Sequence, residues 1–115
     1  MIRILINAKK GYIKVEGHSG YAPIGQDIIC AGVSSIVNGM YLYFHDLKKA
    51  EEENKSEFIT KLKYNEDGVQ FEVNYDTKNI TNIVVVNVFA KMFTQFDEFK
   101  DYVKFTYKPL WTKKM

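Results

Sequence analysis

The chain has 115 residues, of which 46% are hydrophobic and 15% aromatic. That suits one domain with a real core and excludes disorder along the whole length. One cysteine excludes an internal disulfide, and sixteen basic against fourteen acidic residues, net +2, fall short of the dense basic charge of most nucleic-acid binders.

Residues 2–7, IRILIN, set Ile2, Ile4 and Ile6 against Arg3, Leu5 and Asn7, the alternation of a strand with one apolar face. Charged residues interrupt every apolar run of this N-terminal region, so a signal peptide is not expected. Ala8–Gly11 supplies a turn, and YIKVEG resumes the alternation, with Ile13 and Val15 on the apolar side. The two strands read as a β-hairpin whose Gly11 can take positive φ.

Ser19, Gly20, Tyr21, Ala22, Pro23, Ile24, Gly25 and Gln26 have no periodic pattern and read as a loop. Asp27 is placed as a helix N-cap. The stripe Ile29, Val33, Ile36, Val37, Met40, Phe44 and Leu47 predicts a helix from Ile28 to about Leu47, with KKAEEENKSE at 48–57 ending it. FITKLKY and VQFEVNY flank NEDG as a second hairpin, with Asp67-Gly68 as its turn.

Segment 80–102 carries two signals. The β-branched run Ile83, Val84, Val85, Val86 and Val88 favours a strand, whereas Ile80, Ile83, Val84, Asn87 and Val88, then Met92, Phe96 and Phe99, fit a helical period. Its length favours a second long helix. The longest apolar run, IVVVNVFA at 83–90, is interrupted by Asn87, well short of the ~20 residues that span a bilayer. YVKFTYK at 102–108 closes the series as a strand. The expected class is α+β, in the order β-β-α-β-β-α-β, with a largely hairpin-built sheet against two helices in a single domain, 1–115.

The chemistry concentrates at Cys30. With Asp27 as cap, Cys30 is the third helical residue, beside the N–H groups and positive end of the helix macrodipole, a field that favours thiolate. His18, twelve positions earlier, can be folded back by the intervening loop to serve as base or ion-pair partner. First-turn N–H groups can cradle an oxyanion. Asp27 has two candidate roles, cap or orienter of the His18 ring, and Ser34 stands one turn beyond Cys30. The alternatives are a buried structural cysteine, a loop-capping histidine, and a redox thiol, the last without a second cysteine to resolve it. One cysteine and two histidines make a poor zinc set, so no metal is expected. His45 would lie about 22 Å along the helix from Cys30, outside any dyad, and reads as a helix C-terminal histidine.

The block Gly17-His18-Ser19 to Gly25, then Asp27-Ile28-Ile29-Cys30-Ala31 and Ser34, resembles the ribosomal-processing cysteine protease family. That resemblance implies a small cytoplasmic homodimeric protease without a cofactor. It would remove a short N-terminal extension from a large-subunit ribosomal protein, cutting after an aromatic residue. It also implies Cys30 as nucleophile, His18 as general base, Asp27 and Ser34 in support, and residues 19–26 as a lid over the peptide. Ser19 stands where the family commonly has alanine. Neither a membrane nor direct nucleic-acid binding is expected. A non-enzymatic ribosome-associated or protein-binding module is the competing reading.

Overall fold

Alternation and turn chemistry produce the first two strands where they are expected, β1 at Ile2–Asn7 and β2 at Tyr12–Gly17. They pair antiparallel with Ile4 opposite Val15, and Gly11 takes φ 66° in the turn. The computed structural model describes residues 1–18, 20–22, 27–56, 58–59, 61–65 and 69–110. The proposed turn at Asp67-Gly68 lies outside them.

Next come α1 (Ile28–Glu53), β3 (Lys61–Asn65), β4 (Val69–Asn74), α2 (Ile80–Phe93) and β5 (Val103–Lys108), with a 3-10 turn at Thr94–Phe96 after α2. The α+β class and the element order are as expected. The sheet runs β3-β4-β2-β1-β5, with β5 parallel to β1 and the other pairs antiparallel. Register puts Ile2, Ile4, Ile6, Ile13, Val15, Phe71, Val73 and Val103 on one face, buried against Ile29, Val33, Val37, Met40, Phe44, Val86 and Phe93 of the helices. Alternation with period two on the strands and a stripe of period 3.6 on α1 are what one shared core demands.

Three boundaries differ from expectation by several residues. α1 continues to Glu53, past Leu47, because Lys48–Glu53 is a run of good helix formers. Asn54 caps its end, and Lys55, at φ 56°, turns the chain away. β3 begins at Lys61 rather than Phe58, since the N–H groups of Phe58 and Ile59 donate to the Glu51 carboxylate at 2.9 and 3.0 Å instead of to a strand. α2 is helical throughout its β-branched run, capped by Asn79, whose side chain accepts from the N–H groups of Thr81 and Asn82. It stops at Phe93, short of 102, and turns at Phe99 carry the chain into β5, the N–H groups of Tyr102 and Val103 both donating to the Phe99 carbonyl. His45 therefore sits inside α1, not at its end, against the Tyr41 ring and 3.6 Å from Asp46.

Length and composition alone would let α1 cross a membrane. Instead it spends its apolar stripe on the sheet. Buried Asn82 ties α2 to α1, accepting from the Tyr43 hydroxyl at 2.5 Å and donating to the Asp76 carbonyl at 3.1 Å.

On the opposite sheet face the Tyr12 hydroxyl donates to the Glu72 carboxylate, which also pairs with Lys61 at 3.0 Å. Partial burial, then the Glu72 hydrogen bond, push the Tyr12 hydroxyl up to about 12. That same hydrogen bond, then Lys61, holds the Glu72 carboxyl below its ordinary value. A carboxyl lowered by folding stabilises above its unfolded pKa and loses that contribution as pH falls through the folded value. Glu72→Gln should therefore cost about 1 kcal/mol at neutral pH and nothing once both forms are protonated. Urea titrations of both proteins at neutral and strongly acidic pH check this, and a gap that persists in acid contradicts it. Tyr12 has the opposite sign, its contribution persisting below an ordinary tyrosine pKa and vanishing as pH rises through about 12.

Candidate active site

Strand pairing sets the location. Gly17 ends β2 opposite Ile2 on one side and Val69 on the other, and Ile2 pairs in turn with Val103. His18 leaves the sheet from this end. β2 and β3 are parallel through their shared neighbour β4, so α1 is the crossover between them and starts where β2 finishes. The N-terminus of α1 thus belongs to the end of the sheet that presents His18.

Gly17 adopts φ 110°, and a Cβ there would stand 2.3 Å from the Met1 carbonyl oxygen. Only glycine lets the β1 N-terminus lie so close while the chain turns out to His18. His18 itself is exposed. It lines a cleft of about 450 Å³ whose other walls include Met1, Glu16, Asn65, Val69 and Gln70. Cys30 is not among the residues lining that cleft.

Asp27 is the N-cap, at φ −83° and ψ 94°. Its carboxylate accepts from the Cys30 N–H at 2.9 Å and its carbonyl from the Ala31 N–H at 3.0 Å. A cap of this kind stabilises a helix by about 1 kcal/mol. The structure shows Asp27 in the role of cap. The geometry also narrows the oxyanion idea, because the Cys30 N–H is already engaged and the first-turn donors left over belong to Ile28 and Ile29. Cys30 is half-buried and packs against the core, one turn from half-buried Ser34.

Two contacts around this end were not legible from local pattern. The Tyr21 ring packs edge-on against Tyr102, centroids 5.2 Å apart, which fastens the segment after His18 beside the start of β5. Gly32 faces Phe96, whose ring would stand 3.0 Å from a Cβ at that position, so the absent side chain admits the 3-10 turn against the first turns of α1. The remaining proposed loop positions, Ser19, Pro23, Ile24, Gly25 and Gln26, lie outside the described residues, while Gly20 and Tyr21 are exposed and Ala22 half-buried. Among the described residues no three His, Cys, Asp or Glu side chains are grouped to hold a metal ion.

The profile of the family described as cysteine protease Prp matches residues 1–104. The chain belongs to the Prp cysteine protease family. Over 52 residues it is 36% identical to the ribosomal processing cysteine protease Prp of Mycoplasma genitalium, a match covering 45% of this chain and 52% of that relative. The chain thus spans about half the length of the curated relative it matches.

The fold is also that of solved Prp structures. The essential ribosomal processing protease Prp from S. aureus, in complex with a covalently linked product peptide, superposes with a TM-score of 0.66 at 23% identity, covering 93% of this chain and 97% of that one. The same S. aureus protease with a substrate peptide gives a TM-score of 0.60 at 22% identity, with the same coverage.

Proposed function

We propose that this protein is a cysteine endopeptidase that removes an N-terminal extension from a large-subunit ribosomal protein. The observation that carries the reading is the placement of the lone thiol in the Asp27-capped first turn of α1, at the sheet end where His18 lines an open cleft. Membership of the Prp family, and the peptide complexes of the S. aureus relative, support it.

In the proposed reaction Cys30 Sγ attacks the scissile carbonyl carbon and His18 takes the thiol proton. The tetrahedral oxyanion then collapses, the C–N bond breaks, and His18 returns the proton to the leaving amine. Water hydrolyses the thioester, releasing the acid product and regenerating the thiol. Asp27 acts by holding the first turn, and with it the Cys30 backbone, in place. Ser34 supports that turn from the next turn of α1. No cofactor is required by this chemistry. The test is cleavage of a peptide carrying such an extension with an aromatic residue at the cut site. Turnover that survives alkylation of Cys30 by iodoacetamide overturns the proposal.

The proposal includes a cytoplasmic homodimer. Ile80, Val84, Val88 and Met92 form an exposed apolar stripe along α2 at four-residue spacing. A two-fold antiparallel pairing of α2 with its copy sets Ile80 against Met92 and Val84 against Val88, with no like charges opposed along that line. Val84→Asp should convert a dimer to monomer in sedimentation velocity. A wild type that sediments as a monomer, or a variant that stays dimeric, rules the arrangement out.

A further inference from the structure

The +2 net charge of the whole chain conceals how the fold distributes it. Both helices pack against one face of the sheet, and no described element covers the other. Register assigns Arg3, Lys14, Lys61, Lys63, Lys104 and Lys108 to that uncovered face, against only Glu16 and Glu72.

Both carboxylates are already engaged. Glu16 pairs with Lys14 at 3.6 Å and Glu72 with Lys61 at 3.0 Å. Arg3, Lys63, Lys104 and Lys108 are all exposed, and none has an ion-pair partner among the described residues. Arg3 stands between Glu16 of β2 and Lys104 of β5 in the register, and its like-charge juxtaposition with Lys104 is one that a bound anion would relieve. Lys63 on β3 and Lys104 on β5 stand on opposite edges of the five-stranded sheet, about 19 Å apart at ordinary strand spacing.

We propose that this uncovered sheet face binds the phosphate backbone of RNA. Polyanion binding needs spread cations and hydrogen-bonding groups between them, which Gln70, Asn74 and Thr106 provide on the same face. Apart from Met1, which borders it at one end, none of the exposed large hydrophobic residues lies on this face. A lipid surface would need such side chains to insert, and a protein partner would need them as anchors. The inference rests on this layout and not on the peptidase reading.

The experiment measures fluorescence anisotropy of a labelled RNA hairpin titrated with the full chain over a series of salt concentrations. Four unpaired cations predict a slope of log K against log salt of about −3 to −4. The double variant Lys63→Glu and Lys104→Glu should weaken binding at least about tenfold and flatten the slope by about 2. Charge reversal keeps a charge on each edge strand, so edge-to-edge pairing stays blocked. The same charge change at Lys48 and Lys49 on α1 should leave binding largely unaltered, and peptide hydrolysis should be equal in all these proteins. If charge reversal lowers the melting temperature, Lys63→Gln with Lys104→Gln should still flatten the slope. No binding at low salt, equal weakening by the α1 variants, or phosphatidylglycerol vesicles or polyglutamate bound as tightly as RNA would each overturn the proposal.

Discussion

Cys30→Ala should abolish peptide cleavage, lowering turnover by about 10⁴-fold or more, because the covalent route disappears with its nucleophile. Cys30→Ser should be nearly as inactive, since a hydroxyl ionises far less readily than a thiol at neutral pH. Both variants should fold like wild type. The residue is half-buried, the cap bond runs to its backbone N–H rather than to its sulfur, and neither substitution adds bulk. His18→Ala should lower turnover by about 10²- to 10⁴-fold, the usual worth of a general base. It should also slow alkylation of Cys30 by iodoacetamide. The combined readout separates a catalytic pair from a structural one, because loss of a merely structural histidine would shift stability and leave alkylation unchanged. Cleavage by both cysteine variants at the wild-type rate would refute the endopeptidase assignment.

Gly17→Ala should be the most damaging conservative change near the site. At φ 110° an added Cβ is strained wherever it points, at a cost of about 1–3 kcal/mol. It would also stand 2.3 Å from the Met1 carbonyl oxygen, so backbone has to move at the junction of β1 and β2, adding a further ~1–3 kcal/mol of the kind overpacking costs. The two together, about 2–6 kcal/mol, are a large part of the stability of a small domain. The shift falls on the residue that launches His18, so cleavage should drop more than the folded fraction does. Gly20→Ala is the matched control. It has φ 71° but nothing within 4 Å of its Cβ, and should cost about 1–2 kcal/mol, the strain alone. Urea denaturation compares the two directly, and a Gly17→Ala protein as stable as Gly20→Ala would show that the Met1 contact carries no energy.

Features that depend on near neighbours in the chain are legible from the residues alone. The alternation in IRILIN and YIKVEG, the glycine between them, and the stripe from Ile29 to Phe44 each report a local period, and that period decides which face must be buried. Asp27 as cap is legible for the same reason, since its partner Cys30 N–H is three residues away. The β-branched run in α2 is the ambiguous case. Strand propensity loses there because the Asn79 cap and burial of Val86, Ala90 and Phe93 against the sheet outweigh a bias of a few tenths of a kcal/mol per residue. Element ends depart from the local pattern where a distant side chain settles them, as Glu51 does for the residues before β3.

By itself the sequence determined the class, the element order, the cap beneath Cys30 and the family motif that contains both His18 and Cys30. Tertiary structure alone decided that β2 lies between β1 and β4, which puts Val69 and Gln70 beside His18. It also decided that β5 returns parallel to β1, bringing Tyr102 to Tyr21 and Lys104 to Arg3. These are contacts between residues some eighty to one hundred positions apart in the chain. No periodicity encodes such pairings, because they follow from which strand edges the helical crossovers leave free, a property of the assembled sheet rather than of any segment in it.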